Sequence, residues 1–534
     1  MSFTDFKPTN HLVNPLLTDF YELTMAYGYW KNGMHEETAV FDLHFRKAPF
    51  KGEFAVFAGL EEVLRFLNDF HFDANQIAYL QKVMPGCDQA FFDWLRSVDC
   101  SQIKLYAYRE GTLAFPRVPM ITVEGPIAVA QLLETTLLNL INYPTLLTTN
   151  AARFKLAAGA DKTMVEFGLR RAQGPDGGLS ASRYAYLGGF DSTSNVEAGA
   201  FFGIPVTGTQ AHSWVQSFLS LQEVADVVLV DQHGRANRFA DLAVDYRRQL
   251  GFQGANDDEL ASFIGYATAW PNHFLALVDT YDTLKSGVPN FLAVALALQA
   301  LGFRPLGIRL DSGDLAYLSK EARAMFRQVS RRFGVDFDKL TIVASSELDE
   351  ETLLSLKQQG HEIDVFGVGT HLVTCEAQPA LGGVYKLTAI SGQPRIKLSQ
   401  DLDKIVIPGR KEPYRLLDAN GTPVLDLMIM GGEERPMPGK RVLCRHPFQE
   451  AQRVYVTPSH VIPLHVCAWD GRPNWDVLQP LAEARRYVLD QLAHMRPDHL
   501  RPLNPTPYKV SVSEELYRFL HDLWLQKSPI AEIR

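Results

Sequence analysis

Apolar and polar positions along the chain fall into two textures. Near the start, Leu23, Ala26, Tyr27 and Trp30 recur at helical spacing, predicting a helix over residues 16–30 with Thr18 as its cap and a stop at Gly33. Ala39, Phe41, Leu43 and Phe45 then alternate with Val40, Asp42, His44 and Arg46, which is the period of a half-buried strand. Leu60, Val63, Leu64 and Leu67 return to helical spacing. A mixed layer of strands and helices is expected in this region.

From about residue 160 the pattern becomes strand, short loop, helix, repeated. Candidate strands lie at 163–167, 204–209, 274–278, 306–310, 340–344 and 363–366, with helices at 290–301, 315–329 and 350–358. Continuous apolar strands alternating with helices argue for a parallel sheet covered on both faces and closed, or nearly closed, into a barrel. Residues 221–260, charged and weakly periodic, read as an insertion between two such units. After Gly383 the texture turns antiparallel: a strand at 384–390, a turn at Ser391, Gly392, Gln393 and Pro394, and a second strand at 395–398. Residues 475–495 and 513–526 read as amphipathic helix.

Composition narrows the class. A chain of 534 residues exceeds what one core fills, and 46% hydrophobic with 21% charged residues is the balance of a folded protein rather than a disordered one. A net charge of -9 provides no basic footprint for nucleic acid, although a few local arginines can still hold a small anion. The five cysteines, Cys87, Cys100, Cys375, Cys444 and Cys467, are scattered and never form a Cys-x-x-Cys pair. That argues against a disulfide framework or zinc site and fits a reducing compartment. Residues 1–20 carry Asp5, Lys7 and His11 without a continuous apolar stretch, so no signal peptide is expected, and the longest apolar run, 291–298, is too short to span a bilayer. A cytoplasmic location without a membrane partner is the expectation.

In parallel α/β folds, reactive residues follow the C-terminal ends of strands, and the polar clusters fall there. After 163–167 come Arg170 and Arg171 and a glycine-rich loop with Gly174, Gly177 and Gly178. Paired guanidinium forks and a permissive backbone suit a phosphate or diphosphate; a solvated arginine pair ahead of a loop reads equally well. His212 opens a helix after 204–209, where an imidazole can act as nucleophile or base, or simply as structure. The cluster Arg309, Asp311, Ser312, Gly313 and Asp314 can pair a substrate carboxylate with Arg309 and hold ribose hydroxyls or a metal-bound diphosphate with its acids; an internal salt bridge would use only one arginine and one acid. Gly367, Gly369 and Thr370 offer amides and a hydroxyl to a phosphate monoester, as would any tight turn. The acidic pair Asp257 and Asp258 reads as solvated surface. No Gly-x-x-x-x-Gly-Lys-Ser/Thr loop, full Gly-x-Gly-x-x-Gly fingerprint or His-Glu-x-x-His occurs, so any use of ATP comes through another architecture.

Several longer words occur in one order: Pro15-Leu-Leu-Thr-Asp-Phe-Tyr-Glu-Leu-Thr-Met-Ala-Tyr27, Gly168 to Gly178, Tyr186-Leu-Gly-Gly-Phe-Asp-Ser192, Gly208 to Ser213, Arg309 to Leu315 and Gly382-Gly-Val-Tyr-Lys-Leu387. With them the chain resembles the nicotinate phosphoribosyltransferases over nearly its whole length. The resemblance implies the irregular α/β barrel of type II phosphoribosyltransferases, joined to an α/β sandwich-like domain built from both ends of the chain. It sets the expected divisions at 1–150 for N-terminal helices and sandwich, 151–382 for the barrel, 383–460 for the return to the sandwich and 461–534 for a helical segment. It further implies a homodimer with shared active sites.

The same resemblance implies roles. Tyr21, Thr209 and Arg309 match nicotinate contacts, Thr370 a contact to 5-phosphoribosyl 1-diphosphate, and His212 the histidine that ATP phosphorylates. Arg170, Arg171, Ser312, Gly313, Gly367 and Gly369 are the accompanying phosphate-site candidates. Mg, or Mn, is expected chiefly on the diphosphate, with Asp311 and Asp314 as possible ligands. One departure stands out: where the family often has Ser-Asn-Asn-Ile-Asp-Glu, this chain has Ser345-Ser-Glu-Leu-Asp-Glu350, so no phosphoribosyl role is carried onto Ser346 or Glu347. Competing readings are a related phosphoribosyltransferase that takes nicotinamide or quinolinate, and a barrel protein that binds without catalysis.

Overall fold

The structure, a computed structural model, describes residues 7–399 and 404–528. They form two compact units, one from the described parts of 1–152, 187–189 and 377–534, the other from 153–186 and 190–376.

The first unit carries two six-stranded sheets. In one, the order is Gln393–Pro394, Gly383–Ile390, Thr38–Phe45, Ile121–Pro126, Lys104–Ala107 and Val466–Asp470, all antiparallel, so segments from both ends of the chain interleave. The other is built from Arg453–Val456, Val442–Arg445, Val510–Val512, Pro423–Met430, Lys411–Leu417 and His460–Pro463. A fully buried ion pair, Lys411 Nζ to Asp42 Oδ2 at 2.7 Å, ties one sheet to the other, and Thr122 donates to the second Asp42 oxygen. That contact explains a departure from expectation. The strand Thr38–Phe45 is not half-exposed: from Ala39 to Phe45 every residue is buried, because both faces of the sheet are covered.

Other departures have equally local causes. The first helix runs Phe20–Lys31 with Asp19, not Thr18, at its N-cap position; the Thr18 hydroxyl instead donates to Glu22. The second strand of the late hairpin is only Gln393–Pro394, and 395–398 is not strand. The described residues after 461 are not purely helical: besides helices Leu481–His494 and Glu514–Lys527 they supply Val466–Asp470 and Val510–Val512 to the two sheets.

The second unit is an irregular α/β barrel. Its parallel strands follow the order Leu275–Leu277, Gly307–Leu310, Thr341–Ser345, Val365–Val368, Thr163–Glu166 and Ser192–Thr193. The strand expected at 204–209 is reduced to a single bridge from Val206 to Thr193. Helix Leu315–Phe333 shows why the period is legible: Leu315, Ala316, Ser319, Ala322, Phe326 and Val329 are buried on one stripe, with the Asp314 carboxylate capping Tyr317 N and Gly334 ending the helix at φ 68°.

Helix Val288–Ala300 is buried on all sides from Val288 to Leu298. It is covered by helices Phe239–Leu250 and Asp257–Ala269, so the segment expected as a loose insertion is part of the core: Phe239, Ala243 and even Arg247 are buried. Asp257 is exposed, as expected, and from the first turn of its helix it accepts from the buried Arg247 Nη2 at 2.6 Å. Among the described residues no helix is long and apolar enough to cross a membrane.

Candidate active site

Because the barrel strands are parallel, their C-terminal ends share one edge, and the residues after them meet there. A cavity of about 440 Å³ opens at this edge. Arg170 and Arg171 reach it from the turn Leu169–Arg171, Arg309 and Asp311 from the end of Gly307–Leu310, Ser345, Ser346 and Glu347 from the end of Thr341–Ser345, and Gly367, Gly369 and Thr370 from Val365–Val368; Thr209 and Gln210 complete the wall.

Arg309 Nη1 donates to Thr209 Oγ1 at 2.5 Å. Burial pulls the guanidinium pKa down, opposed by the Asp311 and Asp279 carboxylates, and a guanidinium keeps its charge in such a setting. Its Nε and both amide atoms of Gln210 are buried with no hydrogen-bond partner among the described residues. Leaving such groups unpaired costs roughly 1–3 kcal/mol each, a cost that ordered water or a ligand normally relieves.

A chain of contacts runs from this wall to His212. Asp279 Oδ2 accepts from Asp311 N at 3.1 Å and from Ser312 Oγ at 2.5 Å; Asp311 Oδ1 accepts from Ser345 Oγ at 2.5 Å. His212 sits in the short helix His212–Gln216 with Nδ1 3.0 Å from the Thr280 hydroxyl and Nε2 3.6 Å from Asp311 Oδ2. Asp279 and Thr280 were not singled out from sequence, although they follow strand 274–278 just as Arg309 and Asp311 end theirs. Glu166 was also missed: fully buried, it accepts from Gly168 N, Ser182 Oγ and Thr193 Oγ1, binding the arginine turn to its neighbours.

The structure redistributes several candidates. The expected glycine-rich loop is helix: Gly174, Gly177 and Gly178 lie within Gly174–Leu187, and a Cβ on Gly178 would come within 2.6 Å of Leu169, so the glycine permits close packing rather than a phosphate cradle. Gly367 plays a similar steric part against the Phe167 ring. Ser312 and Gly313 are exposed beside the cavity, and Asp314 Oδ1 is taken by the helix cap. Glu347 lies 3.3 Å from His371 Nε2 and so gains a local cationic partner when that ring is protonated. Tyr21 lies in the first unit, 44% exposed, its phenol pushed up to about 12 by burial and by Glu134 and Glu22.

No group of three or more His, Cys, Asp or Glu among the described residues is arranged to hold a metal. A second cavity, of about 270 Å³ in the sandwich unit, is lined by Arg410, Lys411 and Glu412, whose charges already pair with Glu124, Asp42 and the two arginines Arg410 and Arg435.

The chain matches three family descriptions in succession: the nicotinate phosphoribosyltransferase N-terminal domain over 16–142, the family itself over 163–417 and the C-terminal domain over 410–520. It is 53% identical to a nicotinate phosphoribosyltransferase of Dictyostelium discoideum, covering 99% of this chain and 91% of that one. The chain belongs to the nicotinate phosphoribosyltransferase family. The human nicotinate phosphoribosyltransferase is 45% identical over 96% of this chain and 97% of its own. A crystal structure of human nicotinic acid phosphoribosyltransferase superposes with a TM-score of 0.84, at 43% identity, over 95% of this chain and 99% of the other. A nicotinate-nucleotide pyrophosphorylase from Pyrococcus furiosus, at 21% identity and a TM-score of 0.61, shares the fold.

Proposed function

We propose that the protein transfers a phosphoribosyl group from 5-phosphoribosyl 1-diphosphate to nicotinate, forming nicotinate mononucleotide and diphosphate in NAD synthesis. The observation that carries this reading is the half-buried Arg309, oriented by Thr209 and lining the same cavity as Arg170 and Arg171. One end of that cavity suits a planar acid and the other suits phosphate oxygens. The kinship of the chain supports it.

In this reading the pyridine nitrogen forms a bond to the anomeric carbon as the bond to diphosphate breaks, its electron pair leaving with the diphosphate oxygen. Little covalent work falls to the protein, so positioning and charge neutralisation dominate. Arg309 pairs the nicotinate carboxylate, which sets acid against the neutral amide of nicotinamide. A divalent ion carried on the diphosphate, Mg or Mn, would supply stabilisation of the leaving charge. ATP phosphorylates His212, which places charge and acceptor oxygens beside the diphosphate site, and hydrolysis of that phosphohistidine drives the transfer forward. The enzyme acts as a cytoplasmic homodimer of the ligase class, with Tyr21 of each copy completing the nicotinate site of the other.

The test is product formation from nicotinate, nicotinamide and quinolinate in parallel, each with 5-phosphoribosyl 1-diphosphate and Mg, with and without ATP. Nicotinate mononucleotide with ADP release is expected. Turnover of another base would reassign the substrate, and no turnover by folded protein would favour a binding role. His212→Ala is expected to lose ATP stimulation while melting like the parent; undiminished ATP coupling in that variant would remove the phosphohistidine from the mechanism.

A further inference from the structure

Behind the reaction centre lies a buried carboxyl that the mechanism above does not use. Glu259, in the first turn of helix Asp257–Ala269, has no exposed surface. Its Oε2 accepts from Ser286 Oγ at 2.5 Å and from Asn290 Nδ2 at 3.1 Å. Ser286 Oγ in turn accepts from Asn256 N at 3.0 Å, and Asn290 Nδ2 also donates to Asn256 O at 2.9 Å. The carboxyl thus clamps the start of its own helix to the π-helical turn Thr283–Gly287, a kind of turn that recurs at functional sites.

That turn is built onto the loop that holds the reaction centre. Ser286 N and Gly287 N both donate to Asp282 O, and Gly287 packs so closely on Val278 that an added Cβ would fall 1.8 Å from the Val278 carbonyl oxygen. Val278 is followed at once by Asp279, which holds Asp311 N and Ser312, and by Thr280, which meets His212 Nδ1. The other side of the His212–Thr280 contact is anchored on the same helix: Trp214 Nε1 donates to Ser262 O at 3.1 Å. Both partners of that contact are therefore referenced to helix Asp257–Ala269.

We propose that Glu259 is a positioning residue for the reaction centre: through Ser286 and Asn290 it sets the turn Thr283–Gly287, and with it the placement of Asp279 and Thr280 against Asp311 and His212. The proposal rests on the phosphoribosyl transfer read above for what the positioning serves. Glu259 Oε1 and Asn290 Oδ1 are buried with no hydrogen-bond partner among the described residues, a setting in which the neutral acid costs less than the carboxylate. Burial, then the Asp279 and Asp282 carboxylates, favour a proton on Glu259; the nearby cations are turned elsewhere, Arg247 to Asp257 and Lys285 to Asp282, and helix Val288–Ala300 carries no charged side chain.

The test compares Glu259→Gln, Glu259→Ala and Ser286→Ala with the parent enzyme in steady-state transfer and ATP-coupled assays, alongside thermal melts. Glutamine keeps the accepting oxygen and mimics the protonated acid, so E259Q is expected to hold kcat within about twofold, whereas E259A lowers kcat by about tenfold or more with KM for nicotinate little changed, as a displaced catalytic group does. S286A, which leaves the helix itself intact, is expected to move in the same direction and decides the matter if E259A does not fold. Parent-like kcat in folded E259A or S286A, or equal damage in E259Q and E259A, overturns the proposal. If the parent forms no nicotinate mononucleotide, the reading of function fails by itself, and the ring-nitrogen NMR signals of His212 decide the positioning: shifted in E259A or S286A supports it, unchanged overturns it.

Discussion

Arg309 is half-buried, and three features matter for recognition: its Nη1 is committed to Thr209, its buried Nε has no partner among the described residues, and two carboxylates, Asp311 and Asp279, balance its charge. A lysine could keep the charge but not the fork. Arg309→Lys is therefore expected to lower kcat/KM for nicotinate by about 10- to 150-fold, the equivalent of losing one charge-assisted contact of roughly 1.5–3 kcal/mol, while leaving nicotinamide turnover nearly as it was; parallel kinetics on the two bases check it. Glu259 makes the pH prediction at this scale. Its pKa is raised from 4.5 to about 7, chiefly by burial, so the folded chain retains a proton that the unfolded chain releases in that window. Stability then falls as pH rises from about 4.5 to about 7. Glu259→Gln removes this dependence: its melting curve should match the parent below the window and exceed it above, by an amount on the order of 3 kcal/mol.

At the scale of elements, the reaction centre depends on close backbone contacts that only small residues allow. Gly287 against Val278 is the sharpest case, because the displaced atoms would be the carbonyl just ahead of Asp279 and Thr280. Gly287→Ala is expected to destabilise by roughly 1–3 kcal/mol through overpacking and to cut kcat further than the melt alone explains; calorimetry and kinetics on the same preparation separate the two effects. The helix Val288–Ala300 that continues from this turn is apolar all round, so it must be covered on every side. Helices Phe239–Leu250 and Asp257–Ala269 do this, which is why a stretch that is charged in sequence proves to be structural: most of its charges stay at the surface, while Arg247 and Glu259 are buried with hydrogen-bond partners.

For the whole molecule, the chain's two units hold different parts of the proposed chemistry. The cavity and His212 belong to the barrel unit, Tyr21 to the sandwich unit. If Tyr21 serves the site of a second copy, Tyr21→Ala and His212→Ala variants, each defective alone in ATP-coupled transfer, should complement when mixed, unfolded and refolded together, because mixed dimers carry one site with both residues intact. Recovery of about a quarter of parental activity is expected from random pairing in a two-fold dimer, and no recovery would place Tyr21 in its own copy's site or outside the chemistry altogether.

The sequence by itself determined the alternation of strand and helix from residue 163 onward, the family, and the residues that end the barrel strands, since parallel strands buried on both faces leave continuous apolar runs with polar residues only at their ends. Arg309, Asp311 and Thr370 were legible for that reason, and Asp279 and Thr280 bore the same signal. The tertiary structure alone decided what depends on partners distant in the chain. Asp42 and His44 look solvent-facing by period, yet Lys411 and the second sheet bury them. Asp314 also caps its own helix, and the glycines at 174–178 look like a loop but lie in a helix, where Gly178 permits close packing on Leu169. Periodicity reports how one segment divides its own faces; it carries no information about what will cover each face, and that is settled only when residues hundreds of positions apart come into contact.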